Sequence, residues 1–221
     1  MEIITDQEKL SVRADEIDVR KHGQGYKSTI YNLKSTMRYN NLLSLSAPQI
    51  GELYRAFVIK FGQELRSFCN PIITNCESIT LSRETCSSIP DKEFLVPRYN
   101  IIDVAYQTPF GAPKTCRLIG IAAFKFQHCL DHLEGILISD IGLEIDEDFD
   151  NATEEERIEV INMFLDAQDM KLSQLNKEIE EDSNLKELND AMKFMEGVQS
   201  GKVKLEHFDV DKSEGTVQEN E

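Results

Sequence analysis

Residues 127–135 read QHCLDHLEG and place two histidines, His128 and His132, four positions apart. On a helix, both imidazoles would lie on one face, one turn apart. Such a pair can give two nitrogen ligands to one metal ion, which then needs at least one more protein ligand. In the HExxH pattern the residue after the first histidine is a proton-transferring glutamate, but here it is Cys129. Paired histidines also occur in polar stripes and packed cores, so the spacing alone leaves metal binding open.

A lone cysteine in a polar segment offers a third ligand. Residues 84–90 read ETCSSIP, and the thiolate of Cys86 could complete a Cys-His-His site with the two histidines. The alternative is a small buried side chain, the commoner state of a single cysteine. Cys129 has the same two interpretations, a fourth ligand or a core thiol, and we favour the core thiol.

The elements that must position these residues are predicted to be short strands and one buried helix. Residues 54–61 are rich in β-branched and aromatic side chains and predict a strand. Residues 100–106 and 114–119 predict a hairpin around a turn that contains proline and glycine. Residues 121–133 predict the helix with the two histidines, and Gly135 ends it. Short antiparallel strands around one buried helix predict an α+β fold.

Two other segments are less regular. Residues 28–42 have apolar side chains at helical spacing, with Ser28 as the N-cap. Residues 69–84 predict short strands that Asn70-Pro71 and Asn75 interrupt.

The net charge of −16 belongs to the C-terminal third. Residues 141–221 contain 24 of the 40 acidic residues but only 8 of the 24 basic ones. Within them, residues 158–179 have an apolar stripe, Asn151 or Thr153 is the predicted N-cap, and acidic residues occupy the first turn. We therefore predict an acidic helical extension over residues 141–211 and a disordered tail over residues 212–221. The stripe either packs on the preceding domain or contacts a protein partner, and we favour the partner slightly.

Composition excludes several classes of function. The acidity disfavours nucleic-acid binding, because phosphate backbones repel it. No apolar run approaches the roughly 18 residues of a membrane span, and the charged N-terminal residues do not resemble a secretory signal. Five scattered cysteines without a CxxC pair favour free thiols or metal ligation over disulfides. We expect a cytoplasmic protein, with a phage-infected host cell or an organelle also open.

Three ordered motifs resemble the signature motifs of the peptide deformylase family: LSAPQIG at residues 45–51, ETCSSIP at 84–90 and QHCLDHLEG at 127–135. The similarity extends over about residues 36–140. It implies an α+β domain at residues 1–140, with short antiparallel sheets around a central metal-binding helix. It also implies removal of the formyl group from the initiator methionine of nascent polypeptides, with a divalent ion such as Fe²⁺, Zn²⁺ or Ni²⁺.

The resemblance also implies roles for particular residues. The metal ligands would be Cys86, His128 and His132. The side-chain amide of Gln49 and the backbone N–H of Ser87 would stabilise the oxyanion of the tetrahedral intermediate, because fixed donors act where charge develops. Arg98 matches an arginine in the family's substrate cleft, although it could equally be a surface cation on a strand. Asp131 could accept a hydrogen bond from a ligand histidine or lie exposed on the helix.

The chain departs from the family at three places. Cys129 stands where the family has its glutamate, and a general acid–base group supplies about 10²–10⁴-fold in rate. Leu42 and Ser44 replace glycines of the first motif, where a substrate strand approaches, and Thr85 replaces the glycine before Cys86. Side chains added at positions of close approach should narrow or reshape the cleft, with Ser44 against the substrate.

From these departures we expect a catalytically impaired pseudo-enzyme with a binding, structural or assembly role, whose partner is a protein or peptide. The alternative is an active metal-dependent peptide deformylase or amidase, with Cys129 or another group accepting the proton. A third, weaker hypothesis is a redox or metal sensor that uses Cys86 and Cys129.

Overall fold

The structure, a computed structural model of the 221-residue chain, describes residues 1–18, 25–181 and 217–219. The chain forms two units, one of Met1–Gly142 with Asp211–Glu221 and the other of Leu143–Val210. All of the candidate site residues lie in the first unit. The part of the predicted acidic extension at residues 182–210 lies outside the described residues.

The first unit combines one antiparallel sheet with helices, which confirms the predicted α+β class. Its elements are α1 (Gln7–Leu10), α2 (Gly25–Asn40), β1 (Ser44–Ser46), a 3-10 helix (Ala47–Ile50), β2 (Ala56–Phe61), β3 (Glu64–Cys86), β4 (Ile89–Gln107), β5 (Pro113–Ile119), α3 (Ile121–Glu134) and α4 (Ile138–Ile141). The second unit begins with β6 (Leu143–Ile145), α5 (Glu147–Asn151) and α6 (Glu154–Glu181), and β7 (Val217–Glu219) returns to the first unit. Among these helices, none is long and apolar enough to cross a membrane.

The sheet has the strand order β1-β2-β3-β4-β5-β7, with every neighbouring pair antiparallel. The short strands predicted over residues 69–84 are instead one continuous strand, β3. The predicted interruptions appear as two register shifts, between Cys69 and Ile72 and between Ile73 and Asn75. A β-bulge accommodates a proline, which has no N–H to donate, and lets the strand continue beyond it.

Helix α3 packs with its apolar face on the sheet. Phe126 makes edge-to-face contacts with Phe57 of β2 and Phe68 of β3, at centroid distances of 5.0 and 5.3 Å. The side-chain amide of Gln127 accepts a hydrogen bond from the Tyr99 backbone N–H at 2.9 Å and donates one to the Tyr99 carbonyl at 2.8 Å. Because this paired contact ties α3 to β4 directly before His128, it fixes the rotation of the helix.

Helix α3 ends at Gly135, as predicted. Gly135 has φ +74° and its N–H bonds to carbonyls of the last turn. A Cβ atom at this position would lie 2.5 Å from the Ser11 carbonyl oxygen. The glycine therefore satisfies both a left-handed backbone and a close approach of the N-terminal segment.

We expect Gly135→Ala to lower the free energy of unfolding by about 2–4 kcal/mol, because a left-handed alanine costs about 1–2 and overpacking about 1–3. Urea denaturation measures the loss. The matched control is Gly62→Ala, since Gly62 has φ +55° and no atom within 4 Å of an added Cβ. Equal losses in the two variants would contradict a steric role for the Ser11 contact.

Several other boundaries differ from the predictions. Helix α2 begins at Gly25, so Ser28 lies inside it and the predicted N-cap is wrong. For α6 the cap is Thr153: its N–H donates to the Glu156 carboxylate at 2.8 Å, and its hydroxyl accepts from the Glu156 N–H at 3.3 Å. Val217–Glu219, within the predicted disordered tail, form β7 on the edge of β5. The edge strand β5 presents unpaired backbone N–H and C=O groups, and a polar segment can form backbone hydrogen bonds with them.

Candidate active site

Two elements bring the three predicted metal ligands together. Cys86 is the last residue of β3, and His128 and His132 lie one turn apart on α3. One ligand atom from each lies within 4.8 Å of the others, and the Cys86 Sγ is 3.3 Å from the His132 Nε2. All three residues are buried. The predicted Cys-His-His group is therefore present as a cluster.

The ionisation of Cys86 suits a metal ligand. Burial raises the pKa of the thiol, but hydrogen bonds from His128 and His132, and their charges, outweigh this and lower it to about 5. Burial lowers the pKa of His128, whereas contacts with Cys86 and Glu84 raise it to about 10. The thiolate is thus formed at neutral pH, which is the state that binds metals. A cation at His128 must displace a proton.

His128 is oriented by Glu84, a residue that the sequence analysis did not single out. The Glu84 Oε2 lies 3.0 Å from the His128 Nδ1, which leaves the other ring nitrogen for the cluster. Along the end of β3, buried Ser82, Glu84 and Cys86 alternate with exposed Arg83 and Thr85. Because side chains two apart in a strand share a face, a carboxylate two residues before the candidate ligand was the signal for this contact.

Arg98 is not a surface cation, and its side chain is only 3% exposed. Its guanidinium donates to both Glu84 oxygens, at 2.8 and 3.0 Å, and to the Asp131 Oδ2 at 2.6 Å. Three of its N–H groups thus bond buried carboxylates, and the expected substrate contact stays a prediction. Arg98 holds Glu84 against His128 and is therefore a positioning residue.

Asp131 is neither exposed nor bonded to a ligand histidine, which corrects both expectations for it. It is buried and pairs with Arg98. Burial raises the pKa of Asp131 despite the opposing charge of Arg98. For Glu84 burial also raises the pKa, but Arg98 and His128 outweigh it and lower the value to about 2. The more strongly stabilised anion is therefore the one that contacts His128.

Gln49 lies in the 3-10 helix with its amide nitrogen directed at the cluster. Its Oε1 accepts a hydrogen bond from the Ser46 N–H at 3.0 Å. Its Nε2 is 3.6 Å from the Cys86 Sγ and 3.3 Å from the Ser87 Oγ. The oxygen is thus fixed away from the cluster and a donor points toward it. The oxyanion roles of Gln49 and of the Ser87 backbone N–H stay predictions.

Cys129 is a core thiol in this structure. It is fully buried, belongs to the hydrophobic cluster around Phe126, and is not part of the Cys-His-His group. Burial raises the pKa of its thiol to about 12, although hydrogen bonding to Ser46 and Ser44 opposes the rise. The raised pKa favours the protonated thiol at neutral pH.

A cavity of about 430 Å³ opens beside the cluster. Gln49, Ser87 and His128 line it, so the donor amide and one histidine of the metal cluster face the same open cavity. The three positions at which side chains replace glycines of the family's motifs, Leu42, Ser44 and Thr85, also lie on its wall. These side chains occupy the cavity boundary, and the expectation that they reshape the cleft stays a prediction.

The residues present fit a divalent metal. One thiolate and two imidazoles form a donor set that suits Zn²⁺, Fe²⁺ or Ni²⁺. The His132 Nδ1 is buried without a hydrogen-bond partner, while its Nε2 faces Cys86. The Nε2 is therefore the ring nitrogen of His132 that is placed to share a cation with Cys86.

The family model described as polypeptide deformylase matches residues 1–145, about two thirds of the 221 residues. The chain belongs to the polypeptide deformylase family. It is 33% identical to the peptide deformylase of Dictyoglomus turgidum over 135 residues, which are 61% of this chain and 87% of that protein. The family assignment covers the first unit and ends near the start of the second.

Solved deformylase structures share this fold. The crystal structure of the peptide deformylase of Thermotoga maritima superposes with a TM-score of 0.59 at 32% identity, covering 64% of this chain and 95% of that one. The structure of PDF from the Vibrio parahaemolyticus bacteriophage VP16T, in complex with actinonin, superposes with a TM-score of 0.58 at 30% identity. The match covers 62% of this chain and 100% of that one. The deformylase fold therefore accounts for the first unit of this chain.

Proposed function

We propose that this deformylase-family chain is a metal-dependent peptide deformylase, which removes the formyl group from N-terminal formyl-methionine at a reduced rate. One observation supports the proposal most strongly: the Gln49 amide nitrogen lies 3.6 Å from the Cys86 sulfur. A hydrogen-bond donor and a metal-ligand cluster thus meet at the wall of one cavity. The relatives named as peptide deformylases favour the same activity.

Each retained residue has a chemical task in this reaction. When bound at Cys86, His128 and His132, a divalent ion supplies Lewis acidity toward the formyl carbonyl and lowers the pKa of water. Gln49 donates to the oxygen on which negative charge develops, and one such donor is worth about 10²–10³-fold in turnover. Glu84 and Arg98 keep His128 in the orientation that ligation requires.

The reaction lacks a carboxylate at position 129. The protonated thiol of Cys129 neither accepts the proton of the attacking water nor delivers one to the leaving amine at neutral pH. The expected cost is about 10²–10⁴-fold in rate. We therefore expect slow turnover in a chain whose metal site and oxyanion donor are intact.

The test is hydrolysis of formyl-Met-Ala-Ser by the full chain, loaded anaerobically with Fe²⁺ and separately with Ni²⁺ or Zn²⁺. We expect slow hydrolysis in proportion to metal content, and loss of both metal and activity in Cys86→Ala, because a ligand is removed. Cys69→Ala is the matched control, since Cys69 is buried but lies outside the cluster. Stoichiometric metal without any hydrolysis would contradict the proposal.

That contradicting result would favour a second candidate, a binding protein that holds formyl peptides without cleaving them. The burial of Cys129 is the observation in its favour, because no proton acceptor replaces the family's glutamate there. Calorimetric titration with formyl-Met-Ala-Ser would then show binding without turnover.

We also propose that the acidic helix α6 contacts a protein partner, as its composition suggests. Pull-down with the full chain and with charge-reversed variants of Glu154 to Glu156 would test that contact.

A further inference from the structure

Lys125 is a cation on the wall of the candidate substrate cavity. It lies on α3, three residues before His128 and four before Cys129, and is half-buried. A helix rises about 1.5 Å per residue, so its backbone lies about 4.5 Å along the axis from that of His128. Lys125 lines the same cavity as Gln49 and His128. A substrate held at the metal cluster would therefore meet this side chain within its first residues.

The carboxylates of the cavity leave Lys125 unneutralised. Among residues 1–18 and 26–170, whose side chains the structure describes, no carboxylate forms an ion pair with Lys125. Glu84, on the same wall, already bonds Arg98 and His128. Arg83, the other cation on the wall, pairs with Glu93 at 2.6 Å. Lys125 is thus a half-buried cation to which these described residues supply no counterion.

The surroundings of Lys125 destabilise its charged form, which a nearby anion would stabilise. Burial lowers the pKa of Lys125, and the positive charge of Lys60 adds to this effect, while Cys129 opposes it. A nearby anion would stabilise the ammonium group, since an opposite charge favours the charged form. An anionic group of a ligand would therefore form a favourable ion pair with Lys125.

The cavity wall combines apolar side chains with a few polar and charged ones. Ligand pockets are mostly lined by apolar side chains, with a few placed polar groups. Here Leu43, Ile121 and Phe124 are accompanied by Ser44, Ser82 and Thr85 along with the charged residues. In this wall the Lys125 ammonium is one of the few placed polar groups, which are the groups that fix the orientation of a ligand.

We propose that Lys125 binds a carboxylate of the substrate next to the formyl group, so that the favoured substrates are formyl peptides or formyl amino acids with an anionic group there. The inference rests on the proposed function for the cleavage step but not for binding. The carboxylate could belong to the first side chain or to the free C-terminus of a very short substrate. Both present the same charge to Lys125.

Two matched pairs of substrates distinguish these sources. Formyl-Glu-Ala-Ser amide against formyl-Gln-Ala-Ser amide tests the side chain, and formyl-Met acid against formyl-Met amide tests the terminus. Each pair differs only in the charge of one group. We expect the native chain to prefer the anionic member of at least one pair by about 10–100-fold in kcat/KM, the range of a charge-assisted hydrogen bond. The preference should fall with increasing salt.

Variants then assign the preference to Lys125. We expect Lys125→Met, of similar length but uncharged, to lose it, and Lys125→Arg to keep most of it. Lys60→Met removes the neighbouring charge of Lys60 and should leave the preference largely unchanged. Thermal unfolding of each variant checks that the fold persists. A preference that survives in Lys125→Met would overturn the assignment.

A readout other than turnover separates this inference from the proposed function. Calorimetric titration of the metal-loaded chain with the same four ligands measures binding whether or not cleavage occurs. Tighter binding of an anionic ligand by the native chain, lost in Lys125→Met, supports the inference even if nothing is hydrolysed. Hydrolysis of formyl-Met-Ala-Ser with no charge preference in either pair would overturn the inference while the proposed function stands. Equal binding of both members of each pair would overturn it as well.

Discussion

Replacing Cys129 with glutamate is expected to raise the rate of formyl-Met-Ala-Ser hydrolysis by about 10²–10⁴-fold over the native chain. The thiol hydrogen-bonds to Ser44 and Ser46, and Ser44 lines the cavity. A longer side chain at position 129 can therefore reach the space beside the metal cluster. Its carboxylate would take the proton from the attacking water and return it to the leaving amine. Steady-state rates at equal metal content measure the gain.

The matched control is Cys129→Gln, which has the size of glutamate but cannot accept a proton. Position 129 is fully buried, so both substitutions carry a similar risk of overpacking. If glutamine raises the rate as much as glutamate, reshaping of the cavity and not proton transfer is the cause. If neither variant exceeds the native rate while both keep their metal, the cavity no longer binds a formyl peptide productively.

Replacing Arg98 with methionine is expected to lower the free energy of unfolding by about 3–5 kcal/mol, because it leaves two carboxylates buried without their cation. Arg98 donates three hydrogen bonds, two to Glu84 and one to Asp131, and its side chain is 3% exposed. Methionine fills much of the volume but offers no charge. Urea denaturation at neutral pH measures the loss, and metal content reports whether His128 keeps its orientation.

The control for charge removal is Arg117→Met, which breaks the exposed ion pair with Glu77. An exposed pair contributes about 0–1 kcal/mol, so this variant should stay close to the native stability. If Arg98→Met and Arg117→Met lose comparable free energy of unfolding, burial of the Arg98 ion pairs is not the cause of the loss. The double replacement Arg98→Met with Glu84→Gln should recover part of the stability, since it removes one of the stranded charges.

The sequence identified the ligands of the candidate site because their signals are local. Two histidines one helical turn apart share a face on any helix, and Gly135 marks the end of that helix. The order of the three motifs then indicated Cys86 and Gln49, which the fold brings to the same place. The hairpin of β4 and β5 was predictable in the same way, since its turn residues lie within a few positions of each other.

Arg98 and Asp131 were misplaced by the sequence analysis because their partners are distant in the chain. Arg98 lies 33 residues from Asp131 and 14 from Glu84. The sequence alone does not indicate whether a charged side chain is exposed or is buried against a partner of opposite charge. Burial of a charge depends on partners that only the folded chain supplies. For the same reason, the continuity of β3 through Asn70-Pro71 followed from its long pairing with β4, which outweighs local strand breakers.

The amino-acid sequence by itself determined the family, the α+β class and the identity of the three potential metal ligands, since each rests on residue types within short motifs and on the order of those motifs. Only the tertiary structure decided that Glu84 orients His128, that Cys129 is a protonated core thiol, and that Lys125 lines the cavity. These properties depend on which groups become neighbours and how much water remains beside them. Desolvation and pairing are consequences of packing, and packing joins residues that no short motif contains.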